Sequence, residues 1–537
     1  MVEHVLAKDE TRVRFSLAAQ ISKVEKDIKN LIEKIPKEVS HVTVALEKAG
    51  FEVYLVGGCV RDLLMDREPK DWDLTTNANP QQIIELFEKT VYENTFGTVG
   101  VCVPCETVKD DVIHETPEYK IIEVTPYRLE TKYSDFRHPD EVKFSEKLED
   151  DLKRRDFTVN ALALDSKGRL IDLFDGLKDI KDKTLRTVGD PNDRFTEDAL
   201  RMLRAVRFAC QLDFSMSYET MENILKNNEL IKKISAERIR DEFVKIILSK
   251  NPASGVLMLQ KFNLLKNIIP ELEEGINCEQ GGEHLYDVWN HLLLAVQHAA
   301  DKNYPFEIRL AALFHDIGKP RTRRFSEDKT KKKYTFYGHE VIGERMAKKI
   351  MERLKFSKKE IDLVSMFVRQ HMFFSDTELI TLSAVRRVIT KVGVENIWDL
   401  MSIRECDRVG MKKKEMPYRL RKYFAMIEQA LRDPISVSQL KIDGEFMMKE
   451  LGITPGPRMG WILHALLEEV LDAPEKNTTE HLSELVKSLN MLGDDELRTL
   501  GERGKEKKEE LEEKEVEKLH TKHGVRLGKR PDRKAGA

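Results

Sequence analysis

The amino-acid sequence predicts an α+β protein of several domains, in which a mixed β-sheet with helices is followed by domains made only of helices. Short apolar segments rich in β-branched and aromatic residues occur within residues 51–127 and are separated by turn residues. From about residue 192 onward, apolar residues recur at helical spacing instead. The chain has 537 residues, which is too long for a single hydrophobic core, so three or four domains are expected.

The composition indicates a soluble, intracellular protein. Hydrophobic residues make up 41% of the chain, and no apolar run approaches the length of a membrane span. The first residues, MVEHVLAKDETRVRF, lack the apolar core of a signal peptide, so we expect a cytoplasmic location and no membrane partner. Six cysteines in this length do not make a disulfide framework. A net charge of −4 neither indicates nor excludes a nucleic-acid binder, since basic stretches such as Arg321–Arg324 can contact phosphates.

The predicted elements of the N-terminal part follow one another as in a small α/β domain. After a charged helical extension at residues 1–45, Phe51–Gly58 is predicted as a strand that runs into a Gly-Gly turn, and RDLLM starts a helix. Asp71–Thr76 is a second strand, and the Asn-Pro pair that follows it caps another helix. Two further strands are predicted at Val99–Val103 and Tyr119–Tyr127.

The domain boundaries follow from this change of pattern. We assign the mixed sheet to residues 46–190 and the helical domains to residues 191–275, 276–412 and 413–492. From Gly501 the sequence is poor in apolar residues and dense in mixed charge, so residues 493–537 are predicted to be frayed helix or disorder. An arm that contacts nucleic acid is the alternative for this last segment.

Three carboxylates of the mixed domain are candidates for catalysis. Asp71 and Asp73 are two residues apart on a predicted strand, so both side chains point to one face of the sheet. Glu123, in a neighbouring predicted strand, completes a trio that can hold two Mg²⁺ ions. Such ions activate an attacking hydroxyl and stabilise an in-line displacement at phosphorus. A D-x-D pair alone is more often a solvated strand end.

The residues upstream of this pair favour the catalytic interpretation. Gly57 and Gly58 let backbone amides approach a triphosphate without a Cβ in the way. Arg61, at the start of the following helix, can grip phosphate. Together, LVGGCVRDLLMDREPKDWDLTT resembles the signature of the class II nucleotidyltransferases, which comprise CCA-adding tRNA nucleotidyltransferases and bacterial poly(A) polymerases. The resemblance implies a nucleotidyltransferase palm, followed by all-α neck, HD and tail domains.

The resemblance continues along the chain over residues 46–250. RLETKYSDFRHPDEVKF is similar to the flexible loop of CCA-adding enzymes, and LKRRDFTVNALAL resembles their ribose-recognition motif. Asp190–Leu212 resembles their E-D-x-x-R motif, and Lys233–Phe243 resembles the helix that follows it. The implied loop residues are Arg128, Tyr133, Asp135 and Arg137. The implied nucleotide-binding residues are Gly57, Gly58, Arg61, Arg155, Asp156, Asn160, Asp198, Arg201, Arg204 and Arg207.

Two residues of the E-D-x-x-R motif can select the base by physical means. Asp198 and Arg201 are three apart on a predicted helix and so share a face. The aspartate only accepts hydrogen bonds and the arginine only donates them. Cytosine and adenine present an amino donor beside a ring acceptor, whereas uracil and guanine present the opposite order. The pair can therefore select C and A without a template, although an isolated D-x-x-R is usually a surface ion pair.

Within this group the sequence favours an enzyme that adds CCA to tRNA. TFGTVGVCV resembles the CCA-adding form, and the loop residues quoted above are those that enzymes adding only CC lack. The implied reaction is attack of the tRNA 3′-OH on the α-phosphate of CTP or ATP. The alternatives are addition of the final A only, a poly(A) polymerase, and a hydrolase whose head only binds RNA. The oligomeric state is left open.

A second group of candidate ligands lies in the histidine-rich region. His291, the pair His315-Asp316 and Asp407 appear in that order on predicted helices, and imidazoles and carboxylates bind divalent metals. LAALFHDIGKP resembles the HD-domain phosphohydrolases over residues 284–410. His339 and His371 would suffice for a second metal. The resemblance implies a phosphohydrolase or 2′,3′-cyclic phosphodiesterase holding Mg²⁺ or a transition metal, with an inactive scaffold as the alternative.

The last helical segment resembles the tail of CCA-adding enzymes, which contacts the tRNA elbow. The resemblance rests on MMKELGITPGPRMGWILHALLEEVLDAP, in which LGITPGP is predicted as a helix stop and a turn before a new amphipathic helix. Arg458, near that turn, is a candidate phosphate contact. A helical hairpin that serves only packing is the alternative.

Overall fold

The structure is a computed structural model, and it describes residues 31–93, 97–105, 118–130, 142–281, 284–325, 334–372, 381–410, 418–431, 437 and 440–523. The chain divides into two compact units. The first comprises residues 1–369 with 406–410, and the second comprises residues 370–405 with 411–537. Among the described helices, none combines the length and the apolar character needed to cross a membrane.

The first unit contains the predicted mixed sheet. In chain order its strands and those of a small neighbouring ribbon are β1 Val53–Val56, β2 Asp73–Thr76, β3 Thr90–Glu93, β4 Thr98–Cys105, β5 Glu118–Pro126, β6 Arg128–Glu130, β7 Val142–Phe144, β8 Leu162–Leu164 and β9 Leu170–Asp172. Seven of them form one sheet in the order β3-β4-β5-β2-β1-β8-β9, while β6 pairs with β7. Strands β2 and β5 run parallel and the other described pairs of this sheet run antiparallel, which confirms a mixed sheet.

The register of β2 and β5 separates an apolar face from a polar one. Leu74 is paired with Val124, and both side chains are fully buried beneath the helix Lys37–Lys48. The preceding pair, Asp73 and Glu123, must point to the opposite face because side chains alternate along a strand. The sequence therefore positions a carboxylate pair on the face of the sheet that faces away from the helix-covered core.

The remaining helices of the first unit follow the predicted change to a helical pattern. They are Gly58–Leu64, Pro80–Leu86, Leu148–Lys153, Gly176–Lys181, Pro191–Glu197, Leu200–Leu212, Tyr218–Asn227, Ala236–Ile247, Pro252–Lys261, Leu265–Ile268, Pro270–Glu273, Val288–Asp301, Phe306–Phe314, Lys319–Thr322, His339–Arg353 and Lys358–Gln370, the last of which ends just inside the second unit. The predicted Asn-Pro cap is confirmed, since Asn79 and Gln82 form a reciprocal capping box. Short two-stranded pairs join Thr184–Leu185 to Ser215–Met216 and Arg324–Phe325 to Tyr334–Thr335.

In the second unit, the described elements are all helices. Its helices are Leu382–Val392, Ile397–Asp407, Tyr418–Leu431, Gly444–Lys449, Pro457–Asp472, Thr479–Leu489 and Asp494–Lys522, and the end of Ile397–Asp407 belongs to the first unit. Arg458 donates to the backbone carbonyls of Asn490 and Leu492 at 2.8 Å each. These bonds tie two helices together, which supports the packing interpretation of this residue.

The prediction of frayed helix or disorder at residues 493–537 is wrong for Asp494–Lys522, which forms a helix packed against Pro457–Asp472. The apolar residues are few, but Leu497 is fully buried. A Cβ on Gly504 would lie 2.2 Å from the carbonyl oxygen of His464, so the glycine lets the two helices touch backbone to backbone. The charges also pair between the helices, as Arg503 does with Glu468 at 2.8 Å. These packing contacts could not be predicted from composition alone.

Candidate active site and metal centre

The first unit contains a cavity of about 420 Å³ at the carboxylate face of the sheet. Strands, the loop after helix Leu148–Lys153 and two later helices contribute its walls. Its lining residues are Gly57, Gly58, Arg61, Asp73, Arg128, Arg154, Arg155, Asp156, Asn160, Asp198, Leu200, Arg201, Arg204, Phe208 and Arg238. Seven arginines face three aspartates there, so the cavity attracts a polyanion such as a triphosphate.

The turn after β1 brings the backbone close to an arginine. Gly57 has φ 78°, a conformation that L side chains rarely adopt. A Cβ at this position would lie 3.0 Å from Nη1 of Arg155. Gly58 then begins the helix that carries Arg61 into the same cavity. The turn therefore lets the backbone come close to Arg155, and the approach of its amides to a triphosphate stays a prediction.

Of the three predicted carboxylates, Asp73 lines the cavity. Burial raises the pKa of Asp73, Arg155 opposes that rise, and the negative charge of Asp71 adds to it. Asp71 is exposed and precedes β2, which begins at Asp73 rather than at the predicted residue 71. Glu123 is exposed and pairs in register with Asp73. Asp73 and Glu123 are neighbours on the sheet, Asp71 precedes Asp73 by two residues, and the joint binding of metal by the three stays a prediction.

A buried aspartate that the sequence analysis missed orients two arginines of the cavity. Asp151 accepts from Arg154 at 2.6 Å and from Arg155 at 3.0 Å. Burial raises the pKa of Asp151, but the charges of the two arginines outweigh burial and lower it. The signal was available, because Asp151 stands three and four residues before these arginines on a helical turn.

The ribose-motif residues form a continuous hydrogen-bonded chain across the cavity. Arg61 donates to Asn160 at 2.6 Å, and Asn160 donates to Asp156 at 3.0 Å. Arg204 donates to the other oxygen of Asp156 at 2.7 Å. Although burial opposes it, the charge of Arg204 together with these bonds holds the pKa of Asp156 well below its usual range. The structure thus brings these four predicted residues together.

The prediction that Asp198 and Arg201 of the E-D-x-x-R motif share one helix is wrong. The helix Pro191–Glu197 ends at Asp198, and a new helix begins at Leu200. Asp198 pairs with Arg238 at 2.7 Å rather than with Arg201. Arg201 instead contacts the carboxylate of Glu197 and the carbonyl oxygen of Arg154, at 2.5 and 3.0 Å. Asp198 and Arg201 still line the same cavity.

The other predicted nucleotide contacts are less uniform. Arg207 is buried against Glu242 at 2.9 Å and is absent from the described cavity lining, and its direct contact with a nucleotide stays a prediction. Arg128 lines the cavity, whereas Tyr133, Asp135 and Arg137 lie outside the described residues. The sequence analysis did not single out Arg154, Leu200, Phe208 or Arg238.

The HD residues converge elsewhere in the first unit. One ligand atom from each of four buried side chains lies within 4.8 Å of the others, the four residues being His291, His315, Asp316 and Asp407. His339 lies 3.3 Å from the second oxygen of Asp316. Burial lowers the pKa of His315, but the nearby carboxylates outweigh it and raise the pKa to about 10. Such a cluster of imidazoles and carboxylates has the chemistry of a divalent metal site.

Three histidines in this group are each oriented by the backbone carbonyl of another residue. The Nδ1 atoms of His291, His315 and His339 lie 3.1, 2.8 and 2.8 Å from the carbonyl oxygens of Val409, Ala312 and Phe336. This contact leaves each Nε2 facing the carboxylates, which is the arrangement that fixes a metal-binding tautomer.

Two further residues lie beside this cluster, and one predicted ligand remains untested. Lys319 bridges Asp316 and Gln280 at 2.6 Å each. The ring of His284 packs edge-on to that of His291, with centroids 5.4 Å apart. His371 directly follows the helix Lys358–Gln370 and is buried, but it belongs to the second unit. Its part in a second metal position therefore stays a prediction.

Comparison with known families divides the chain in the same way as the sites. Residues 53–186 match the "Poly A polymerase head domain" family. Residues 213–276 match the family described as "Probable RNA and SrmB- binding site of polymerase A", and residues 281–420 match the HD domain. The fold and the cavity thus define a nucleotidyltransferase of the poly(A) polymerase head class that also carries an HD domain.

Individual relatives narrow this class. The chain is 34% identical over 477 residues to the CCA-adding enzyme of Ligilactobacillus salivarius, which covers 86% of this chain and 98% of that protein. It is 47% identical over 220 residues to the CCA-adding enzyme of Enterococcus faecalis, which covers 41% of this chain and 51% of that protein. The crystal structure of the Bacillus stearothermophilus CCA-adding enzyme in complex with CTP superposes with a TM-score of 0.53 at 25% identity, covering 84% of this chain and 97% of that one. The chain belongs to the family of CCA-adding enzymes.

Proposed function

We propose that this chain builds and repairs the 3′-terminal CCA of tRNA from CTP and ATP without a nucleic-acid template. The observation that carries the proposal is that Asp73, seven arginines suited to bind phosphates, and Asp198, to which we assign base recognition, all line one cavity. The reaction joins the tRNA 3′-OH to the α-phosphate of the nucleotide and releases pyrophosphate. Because tRNA and nucleoside triphosphates are cytoplasmic substrates, we place the protein in the cytoplasm.

The chain's own residues divide the work of this reaction. Asp71 and Asp73, assisted by Glu123, are suited to hold Mg²⁺, because hard cations prefer carboxylate oxygens. When bound, Mg²⁺ supplies charge stabilisation for displacement at phosphorus. Arg155 and Arg61 neutralise the triphosphate, and the ion pair with buried Asp151 keeps Arg155 in place.

Base selection falls to the far wall of the cavity. The carboxylate of Asp198 accepts from the exocyclic amino group that cytosine and adenine share. A guanidinium donates to the neighbouring ring nitrogen, and we assign this donor to Arg201. Uracil and guanine place a carbonyl oxygen where Asp198 requires a donor, and buried acceptors that face each other are strongly unfavourable.

The test is a single-nucleotide addition assay on three tRNA transcripts, which end at the discriminator base, at C and at CC. Each is incubated with Mg²⁺ and one labelled nucleoside triphosphate. CTP should extend the first two, and ATP should extend only the third. Use of ATP alone on the CC-ended transcript would identify an enzyme that adds only the final A, and unlimited A addition to unstructured RNA would identify a poly(A) polymerase.

Asp71→Ala provides the matched variant for this assay. Because Asp71 is exposed, its removal should leave the thermal unfolding temperature near that of the wild type. All nucleotide addition should be lost. If the variant still adds nucleotides, the assignment of the catalytic carboxylates fails. If the wild type adds none but hydrolyses phosphodiesters, the head serves only to bind RNA.

The preorganised HD cluster supports a second activity, hydrolysis of phosphate esters such as 2′,3′-cyclic phosphates at damaged RNA ends. The four buried ligands fit a divalent ion, either Mg²⁺ or a transition metal. The experiment is hydrolysis of a 2′,3′-cyclic nucleotide after metal removal and after addition of Mg²⁺, Mn²⁺, Co²⁺ or Ni²⁺ in turn. Metal binding without hydrolysis under any of these ions would identify an inactive scaffold.

A further inference from the structure

Arg238, on the helix Ala236–Ile247, grips the base-reading aspartate with two donors. Its Nη2 lies 2.7 Å from Oδ2 of Asp198, and its Nη1 lies 3.3 Å from Oδ1. The two residues are 40 positions apart in the sequence, and both line the nucleotide cavity. Their side chains are 27% and 15% exposed, so the pair is only partly screened by solvent.

The contacts of Asp198 leave its outer oxygen available to a ligand. Oδ1 also accepts from the backbone amide of Leu200 at 3.0 Å, so it has two donors. Oδ2 accepts from Arg238 alone among the hydrogen bonds of the described residues. Since each carboxylate oxygen offers two lone-pair positions, Oδ2 retains one for an incoming amino group.

The motif arginine does not hold this carboxylate. Arg201 donates to Glu197 and to the carbonyl oxygen of Arg194, both on the preceding helix. It also donates to the carbonyl oxygen of Arg154. Without Arg238, the amide of Leu200 would be the one described donor left to Asp198. A terminal carboxylate torsion is broad and roughly two-fold, so one amide does not fix its plane.

We propose that Arg238 is a positioning residue for nucleotide selection, which acts by fixing the plane of the Asp198 carboxylate. This inference rests on the proposed function, because it assigns Asp198 to the base. The planar guanidinium presents two parallel donors and so sets the orientation of its partner. An oriented acceptor rewards the amino group of C and A and penalises the carbonyl of U and G.

The test compares Arg238→Ala and Arg238→Lys with the wild type by kcat/KM for CTP, ATP, UTP and GTP on the appropriate tRNA transcripts. In Arg238→Ala the preference for CTP over UTP should fall by about tenfold to a hundredfold, the range expected for a charged hydrogen bond. Arg238→Lys keeps the charge but loses the two-donor geometry, so its preference for CTP over UTP should fall by a smaller factor. If Arg238→Ala does not fold, Arg238→Lys decides the question, and unchanged preference in the folded variant overturns the proposal.

Arg240 offers a matched control on the same helix. Its side chain is 28% exposed and makes a two-donor contact with Asp241 at 2.8 and 3.0 Å, yet it is absent from the described cavity lining. Arg240→Ala should leave the preference for CTP over UTP unchanged. An equal loss in both variants would mean that the helix, not the contact with Asp198, sets the preference, and the proposal would fail.

A double-mutant cycle separates action through Asp198 from an independent effect. If Arg238 acts through Asp198, then Arg238→Ala made on an Asp198→Ala background should cause no further loss of preference. Additive losses contradict the proposal. The wild-type assay keeps the two hypotheses distinct, since failure to use CTP and ATP would overturn the proposed function, whereas normal use with an unchanged Arg238→Ala preference overturns only this inference.

Discussion

The nucleotide cavity and the HD cluster both oppose aspartates with basic side chains, but the basic groups differ in kind. Seven arginines line a cavity of about 420 Å³ in the head. In the HD cluster, two buried imidazoles and two carboxylates place their ligand atoms within 4.8 Å. Arginine has no lone pair to give to a metal, whereas a neutral imidazole does. The first site is therefore built around a large anion and the second around a small cation.

The two sites also fix their groups by different means. The cavity arginines are held by salt bridges to other side chains, as Asp151 holds Arg155. The HD histidines are held by backbone carbonyls, as that of Ala312 holds His315. Side-chain pairs can rearrange when a nucleotide binds, whereas a backbone carbonyl moves only with its own segment of the chain. The comparison predicts that each site can be disabled without affecting the other.

The largest effect is expected for Asp73→Asn in the head. The amide keeps the size of the side chain but loses the negative charge that we assign to Mg²⁺ binding. Nucleotide addition should fall by at least about a thousandfold, which corresponds to about 4 kcal/mol of lost stabilisation. The measurement is kcat for ATP addition to a CC-ended tRNA, with metal content of the HD cluster determined on the same sample. Loss of the HD metal as well would break the comparison.

The corresponding substitution in the other site, His315→Ala, should affect only the HD cluster. Removal of a ligand should weaken divalent metal binding by at least about tenfold, since loss of a supporting contact alone costs that much. Nucleotide addition should stay within about twofold of the wild type. Isothermal titration with Mn²⁺ measures the binding, and His298→Ala, on the same helix as His291, serves as the control that keeps the metal. Equal binding by both variants would contradict the assigned ligand set.

A smaller effect is expected at the turn beneath the cavity. Gly57→Ala forces an L side chain into a positive-φ conformation beside Arg155, which should lower the free energy of unfolding by about 1–3 kcal/mol. Addition should also fall, because Arg155 must move. Gly58→Ala is the control, since its Cβ would meet Nη2 of Arg61 at an ordinary 3.5 Å. Chemical denaturation and kcat/KM for CTP measure both effects, and equal losses would argue against the close approach at Gly57.

The smallest effect concerns protonation. Burial and Asp71 raise the pKa of Asp73, whereas Lys319 and His315 outweigh burial and lower the pKa of Asp316. On acidification, Asp73 should therefore become protonated before an ordinary aspartate and Asp316 after it. Carboxyl ¹³C NMR of the metal-free protein follows both groups. Arg155→Ala should raise the pKa of Asp73 further, because Arg155 lowers it, and the opposite order of titration would contradict these environments.

Much of the fold and many of the site residues were predictable from local patterns. The capping box at Asn79, the alternation that separates Asp73 from Leu74, and the change to helical spacing all follow from neighbours in the chain. The ordered motifs indicated the family, which the comparisons confirm. They did so because those motifs keep a fixed spacing, and spacing is a property that the sequence itself carries.

The partners of these residues could not be predicted in the same way. Spacing of three residues suggested that Asp198 and Arg201 share one face of a helix, but the helix breaks between them, and Ala236–Ile247 brings Arg238 to the aspartate. Likewise, the dense charge of Asp494–Lys522 suggested disorder, whereas the structure shows a helix that packs closely against the backbone of His464 at Gly504.

The sequence by itself determined which chemical groups this protein carries and in what order, because residue type and spacing are local. Only the tertiary structure decided which carboxylate meets which guanidinium, as for Asp198 with Arg238 and Asp156 with Arg204. The physical reason is that an ion pair depends on the distance between two atoms in space. For residues 40 positions apart, that distance is set by how helices pack and not by the chain between them.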